Sequence, residues 1–93
     1  QLALGIMYEN GQGVEQDDQQ AVKLYRLSAD QENADAQYRL GMMYVNGEGV
    51  PQDDLEAYKW LSLSVSYGDR TAIIARDRVA DKMTPSKSAR HKS

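Results

Sequence analysis

The sequence predicts an all-α fold, an α/α solenoid of antiparallel helix pairs. Two observations carry this: a long internal repeat, and apolar residues at helical spacing between glycine-bearing turns within each copy. At an offset of 36 residues, Leu4-Gly5 falls on Leu40-Gly41 and Met7-Tyr8 on Met43-Tyr44. Asn10-Gly11-x-Gly13-Val14 falls on Asn46-Gly47-x-Gly49-Val50, and Gln16-Asp17-Asp18 on Gln52-Asp53-Asp54. The register continues through Ala21 on Ala57, Lys23 on Lys59 and Leu27-Ser28 on Leu63-Ser64.

Each copy reads as two helices. In the second copy Ala36, Leu40 and Tyr44 recur every four residues, which sets them along one side of a helix. Gly41 adjoins that stripe, and its helix-propensity cost of about 1 kcal/mol is offset if the missing side chain lets another helix approach closely. Gly47 and Gly49 end this helix, and Asp53 or Asp54 caps the next one. That next helix buries Ala57, Trp60, Leu61 and Val65, as Ala21, Leu24, Tyr25 and Ala29 do one copy earlier. Tyr8 and Tyr44, like Tyr25 and Trp60, fall at repeat positions and are therefore expected in the core.

Carried one unit further, the register puts Ala72 on Ala36, but Arg76, Asp77 and Ala80 replace Leu40, Gly41 and Tyr44. A helix from about Thr71 to Lys82 keeps Ala72, Ala75 and Val79 on one side and turns charge outward, as the cap of a solenoid does. The expected organisation is thus a first repeat over 1–35, truncated at Gln1, a second over 36–68, a capping helix over 69–83 and a basic, flexible tail over 84–93. No polar cap precedes Leu2, and a solenoid generally needs about three repeats to bury a continuous core. Either upstream repeats cover that end or the chain self-associates through it.

These residues resemble the Sel-one-like repeats, relatives of the tetratricopeptide repeat. The family pattern is met in full by Ala36-x-x-x-Leu40-Gly41-x-x-Tyr44-x-x-Gly47-x-Gly49-Val50, and Asp53, Ala57 and Trp60 continue it. The resemblance covers about 80 of the 93 residues. It implies a right-handed superhelix and a protein that binds other proteins. Glu32 departs from the pattern, standing where the family usually has glycine. The run from Ala75 to Pro85 is similar to the way bacterial members end, which implies a bacterial source.

The totals exclude several functions. The composition, 41% apolar and 27% charged, is that of a globular chain. The absence of cysteine removes disulfides, thiol catalysis and thiolate metal sites. No apolar run approaches the roughly 20 residues of a membrane span. The chain is expected to be soluble, with bacterial cytoplasm, periplasm and secretion all left open. Residues 1–81 carry all 14 acids against seven bases, while residues 82–93 carry four bases and no acid. Nucleic acid is therefore a poor partner for the folded part.

No catalytic, cofactor-binding or metal-ligating residue is assigned, and the chain is not expected to be an enzyme. His91, the one histidine, lies in the tail without a carboxylate framework. Asp17-Asp18 and Asp53-Asp54 recur at helix starts, where capping accounts for both pairs. Gly11-x-Gly13 and Gly47-x-Gly49 complete no phosphate-binding motif. Lys87, Arg90, His91 and Lys92 offer an acidic partner a basic cluster, although such tails are commonly just solvated. Some proteins the chain resembles hydrolyse β-lactams, but those are cysteine-rich.

A binding surface is the remaining candidate. With Ala36, Leu40 and Tyr44 inward, Tyr38, Met42 and Val45 turn to the other face, and their counterparts one copy earlier are Leu2, Ile6 and Glu9. Five of these six are apolar or aromatic. Leu2, Ile6, Tyr38, Met42 and Val45 are the candidate partner-binding residues, forming either the floor of a concave groove or a packing surface for neighbouring helices. A purely structural role, extending and ending a longer repeat protein, is the alternative.

Overall fold

The computed structural model describes residues 2–83; Gln1 and the basic tail over 84–93, with His91, lie outside them. Five helices and no strand make up the described residues. Helices α1 (Leu2–Asn10) and α2 (Asp18–Asp30) form the first pair, α3 (Ala34–Asn46) and α4 (Asp54–Ser66) the second, and α5 (Thr71–Met83) follows alone. The all-α solenoid expected from the repeat is the fold observed.

The 36-residue register holds at the level of individual hydrogen bonds. The Gln12 N–H donates to the Met7 carbonyl at 2.9 Å, and the Glu48 N–H to the Met43 carbonyl at 3.0 Å. The Asp17 N–H donates to the Tyr8 carbonyl at 2.9 Å, and the Asp53 N–H to the Tyr44 carbonyl at 3.0 Å. Each turn therefore folds the loop back on the helix it leaves, satisfying carbonyls that the last helical turn leaves unpaired. Gly47 makes this possible with a left-handed φ of 68° at the end of α3, its N–H donating to the Met43 carbonyl.

Helix starts are capped as the acidic pairs suggest. Asp17 accepts from the Gln20 N–H at 3.1 Å. Of the two candidates in the second copy Asp53 is the cap, accepting from the N–H groups of Leu55 and Glu56 at 3.0 and 3.1 Å. Asp54 instead accepts from the Gln52 side-chain amide at 2.6 Å and pairs with Lys82 at 3.5 Å.

Ala21, Tyr25, Ala36, Leu40, Ala57, Leu61 and Ala72 are almost completely buried, so the four-residue stripes do form the core. At Gly41 helices α3 and α4 meet closely: a Cβ there would stand 2.8 Å from Leu61 Cγ. The equivalent contact in the first pair is between Gly5 and the Tyr25 ring, also at 2.8 Å. Polar links tie the helices together within and between the pairs. The Gln37 amide donates to the Ala29 carbonyl at 3.1 Å, and the Ser64 hydroxyl to the Ala34 carbonyl at 2.7 Å. Arg26 donates to the Tyr44 hydroxyl, joining α2 to α3.

Two expected core residues are only half-buried. Tyr8 is one, since among the described residues no helix precedes α1 to cover the side that α2 covers for α3. Leu4 shows the same thing, 41% exposed where its counterpart Leu40 is fully buried. Val65 is the other, lying at the edge of a shallow hollow with Gly68, Asp69 and Ile73.

Glu32 adopts a left-handed φ of 67°, and the residue 36 positions later is Gly68, at 102°. The departure from the family pattern is thus a glycine site held by a residue with a side chain.

Candidate partner-binding groove

Helix α5 packs chiefly on α4 and touches α3 at few points. Between α3 and α5 this leaves an open groove of about 530 Å³. From α3 it is lined by Tyr38, Met42 and Val45, all half-buried, together with Asn46. From α5 it is lined by buried Val79, half-buried Ala75 and Ile74, which is 63% exposed. Thr71, Arg78 and Lys82, all exposed, complete the α5 side.

Tyr38, Met42 and Val45 occur at four- and three-residue intervals on α3, which brings them onto one face. Three of the five candidate residues are thereby gathered into one site. Leu2 and Ile6 are not among the groove's lining residues; they lie on α1, partly buried against the core.

The α5 wall went unread in the sequence, although the signal was present. Continuing the 36-residue register places Ile74 on Tyr38 and Arg78 on Met42. The loss of the Leu-Gly-Tyr signature at Arg76, Asp77 and Ala80 concealed this, although those substitutions lie outside the groove-lining positions of the helix.

Among the described residues that line the groove, only Arg78 and Lys82 are charged. They are four residues apart on α5, and so lie on one side of it. Lys82 keeps about half of its side chain exposed despite the contact with Asp54.

Elsewhere, the described residues contain no group of three or more His, Asp or Glu placed to hold a metal ion. Nor is any of their helices long and apolar enough to cross a membrane. Among the described residues the one strongly perturbed group is Tyr25. Burial and a 2.5 Å hydrogen bond donated to Glu9 raise its hydroxyl well above the ordinary tyrosine range. Its position in the α1–α2 contact makes it a structural group rather than a reactive one.

Known proteins place this architecture. The model of the Sel1 repeat matches residues 1–33 and 34–69. A Sel1 repeat protein from Oxalobacter formigenes superposes with a TM-score of 0.82 at 32% identity, covering 86% of this chain and 33% of its own. A protective antigen of uropathogenic Escherichia coli with the same fold superposes at 0.75 and 41% identity, covering 76% of this chain and 15% of its own. Cysteine-rich protein B of Helicobacter pylori superposes at 0.74 and 28% identity, covering 76% of this chain and 53% of its own. The chain therefore spans from about one seventh to about half of the length of these structures. No curated protein matches the sequence. With two repeats matched in succession over 1–69, on the helix pairs and glycine turns described above, the chain belongs to the Sel1 repeat family.

Proposed function

We propose that this chain is a protein-interaction scaffold that takes a partner's peptide or helix on the apolar face of its first helices, centred on the groove between α3 and α5. Sel1 repeat proteins are generally protein-interaction scaffolds. The observation that carries the finer reading is the composition of the groove: Tyr38, Met42, Val45 and Ile74 present apolar surface at positions the repeat does not require to be buried. Burial of such surface against a partner supplies the driving force, and a preformed wall spares it the cost of ordering. Leu2 and Ile6, one unit before Tyr38 and Met42, extend the same face towards α1.

The test is to pan a displayed peptide library against the full chain and titrate the selected peptides against the variant Tyr38→Ser/Met42→Ser. Loss of binding with an unchanged helical spectrum and urea midpoint supports the groove. Unfolding of the variant would show that the two residues are core, and unchanged binding would put the docking surface elsewhere.

A structural reading has its own support. Arg76 and Asp77 replace Leu40 and Gly41, and they pair with each other at 3.3 Å on the face where a following helix would pack. A charged face of this kind suits the end of an array. On this reading, α5 covers the second pair and the partner-binding part lies in other repeats.

A further inference from the structure

We infer that the segment docking in the α3–α5 groove is acidic, an apolar side chain seated against Tyr38, Met42 and Ile74 and flanked by carboxylates that meet Arg78 and Lys82. The inference rests on the groove being the docking site and adds the charge of its occupant. Its basis is charge complementarity. Among the ten lining residues the only charged side chains are two cations, in a chain whose residues 1–81 carry twice as many acids as bases.

The cation at position 78 is not demanded by packing. In the two preceding units the same register position holds Met42 and Ile6. Arg78 is exposed on α5, and its planar guanidinium can donate two parallel hydrogen bonds to a carboxylate. Lys82 stands one turn further along the same side. Its contact with Asp54 at 3.5 Å is a surface pair, and Asp54 already holds the Gln52 amide, so the ammonium can turn to an incoming carboxylate at little loss. The chain's own residues 84–93 contain no acidic side chain to fill this role.

Panning a displayed random-peptide library against the full chain tests this, with selected peptides synthesised and titrated at low and high salt. The expected selectants combine a large apolar residue with Asp or Glu within a few positions, and their affinity falls as salt is raised. Arg78→Glu/Lys82→Glu is expected to weaken them roughly tenfold, and Arg78→Gln/Lys82→Gln a few-fold. Circular dichroism monitors the fold, and the neutral pair decides the matter if charge reversal disturbs α5. Selectants that are apolar without acids, lost on Tyr38→Ser/Met42→Ser but indifferent to both charge variants, overturn the acidic partner and leave the groove standing. Selectants indifferent to Tyr38→Ser/Met42→Ser overturn both. A dimer in light scattering that Tyr38→Ser/Met42→Ser dissolves would assign the groove to a second copy and overturn the acidic segment as its occupant.

Discussion

A Cβ placed on Gly49 would stand 2.5 Å from the carbonyl oxygen of Asp18, at the start of the preceding pair's second helix. This is a backbone-to-backbone approach between successive repeats, and no side-chain movement can relieve it. Gly13, its counterpart, meets nothing closer than the Met7 methyl at 3.5 Å. Both have left-handed φ angles, 74° and 76°, so alanine is strained at either by about 1–2 kcal/mol. Gly13→Ala is expected to cost about that much. Gly49→Ala adds the collision and should cost about 3 kcal/mol or more. Urea unfolding of the two variants checks this; equal losses would mean that the repeat-to-repeat contact gives way easily.

Gly41 and Leu61 form the other close approach. Gly41→Ala gains about 1 kcal/mol of helix propensity, but its methyl meets a leucine that is fully buried. Overpacking of about 1–3 kcal/mol should outweigh the gain. Leu61→Ala alone opens a cavity and should cost about 2–5 kcal/mol. The double variant should be more stable than the sum of the two predicts, by about 1 kcal/mol, because the new methyl fills part of the space. A strictly additive cycle, measured by urea unfolding, would show that the two positions do not share that space.

Glu32 offers a change in the other direction. Its left-handed backbone costs about 1–2 kcal/mol, of which glycine would return about 0.4–1 to the entropy of the unfolded chain. Glu32→Gly is expected to stabilise by about 0.5–1 kcal/mol, and Gly68→Ala, at the equivalent turn, to destabilise. A thermal-melting comparison reads both signs. A lower melting temperature for Glu32→Gly would mean that the glutamate side chain contributes more than its backbone costs.

The two aspartates of each pair are predicted to separate. Asp53→Ala removes the acceptor for two N–H groups at the start of α4 and should cost about 1 kcal/mol. Asp54→Ala removes a surface pair and a side-chain amide contact, and should cost a few tenths of that. Urea midpoints of equal shift would put the cap on both residues.

What the sequence reveals and what it conceals divide along a physical line. The buried stripes of Ala36, Leu40 and Tyr44, the Gly41 approach and the glycine turn at Gly47 are legible, because helical periodicity and backbone geometry are local. Whether a residue at a repeat position is buried depends on whether a neighbour stands there. Tyr8 and Tyr44 read identically, yet only Tyr44 lies between two helix pairs. The groove is concealed for the same reason. Its α3 wall follows from facing away from the core stripe, and the register sets Ile74 and Arg78 on the matching face of α5, but whether the two faces border one groove depends on the distance between non-consecutive helices, which no local pattern encodes. Gly13 and Gly49 repeat the lesson in the backbone: they share motif and φ but differ in what stands opposite.

Tyr25 links the core to pH. Its hydroxyl, buried beneath α1 and donating to Glu9, ionises in the folded chain only well above the ordinary tyrosine range, while in the unfolded chain it ionises near pH 10. Because the folded value is the higher one, the folded state holds the proton more tightly. The associated stability is complete below about pH 10 and is lost as pH rises towards the folded value. Tyr25→Phe should cost about 1 kcal/mol at neutral pH through the lost hydrogen bond and the carboxylate left without its donor. It should also flatten the decline in stability above about pH 10, so that variant and parent converge there. Urea unfolding from pH 7 upwards, followed by circular dichroism, measures both curves. Parallel curves across that range would show that Tyr25 ionises as freely in the fold as out of it, and that the Glu9 contact opens to solvent.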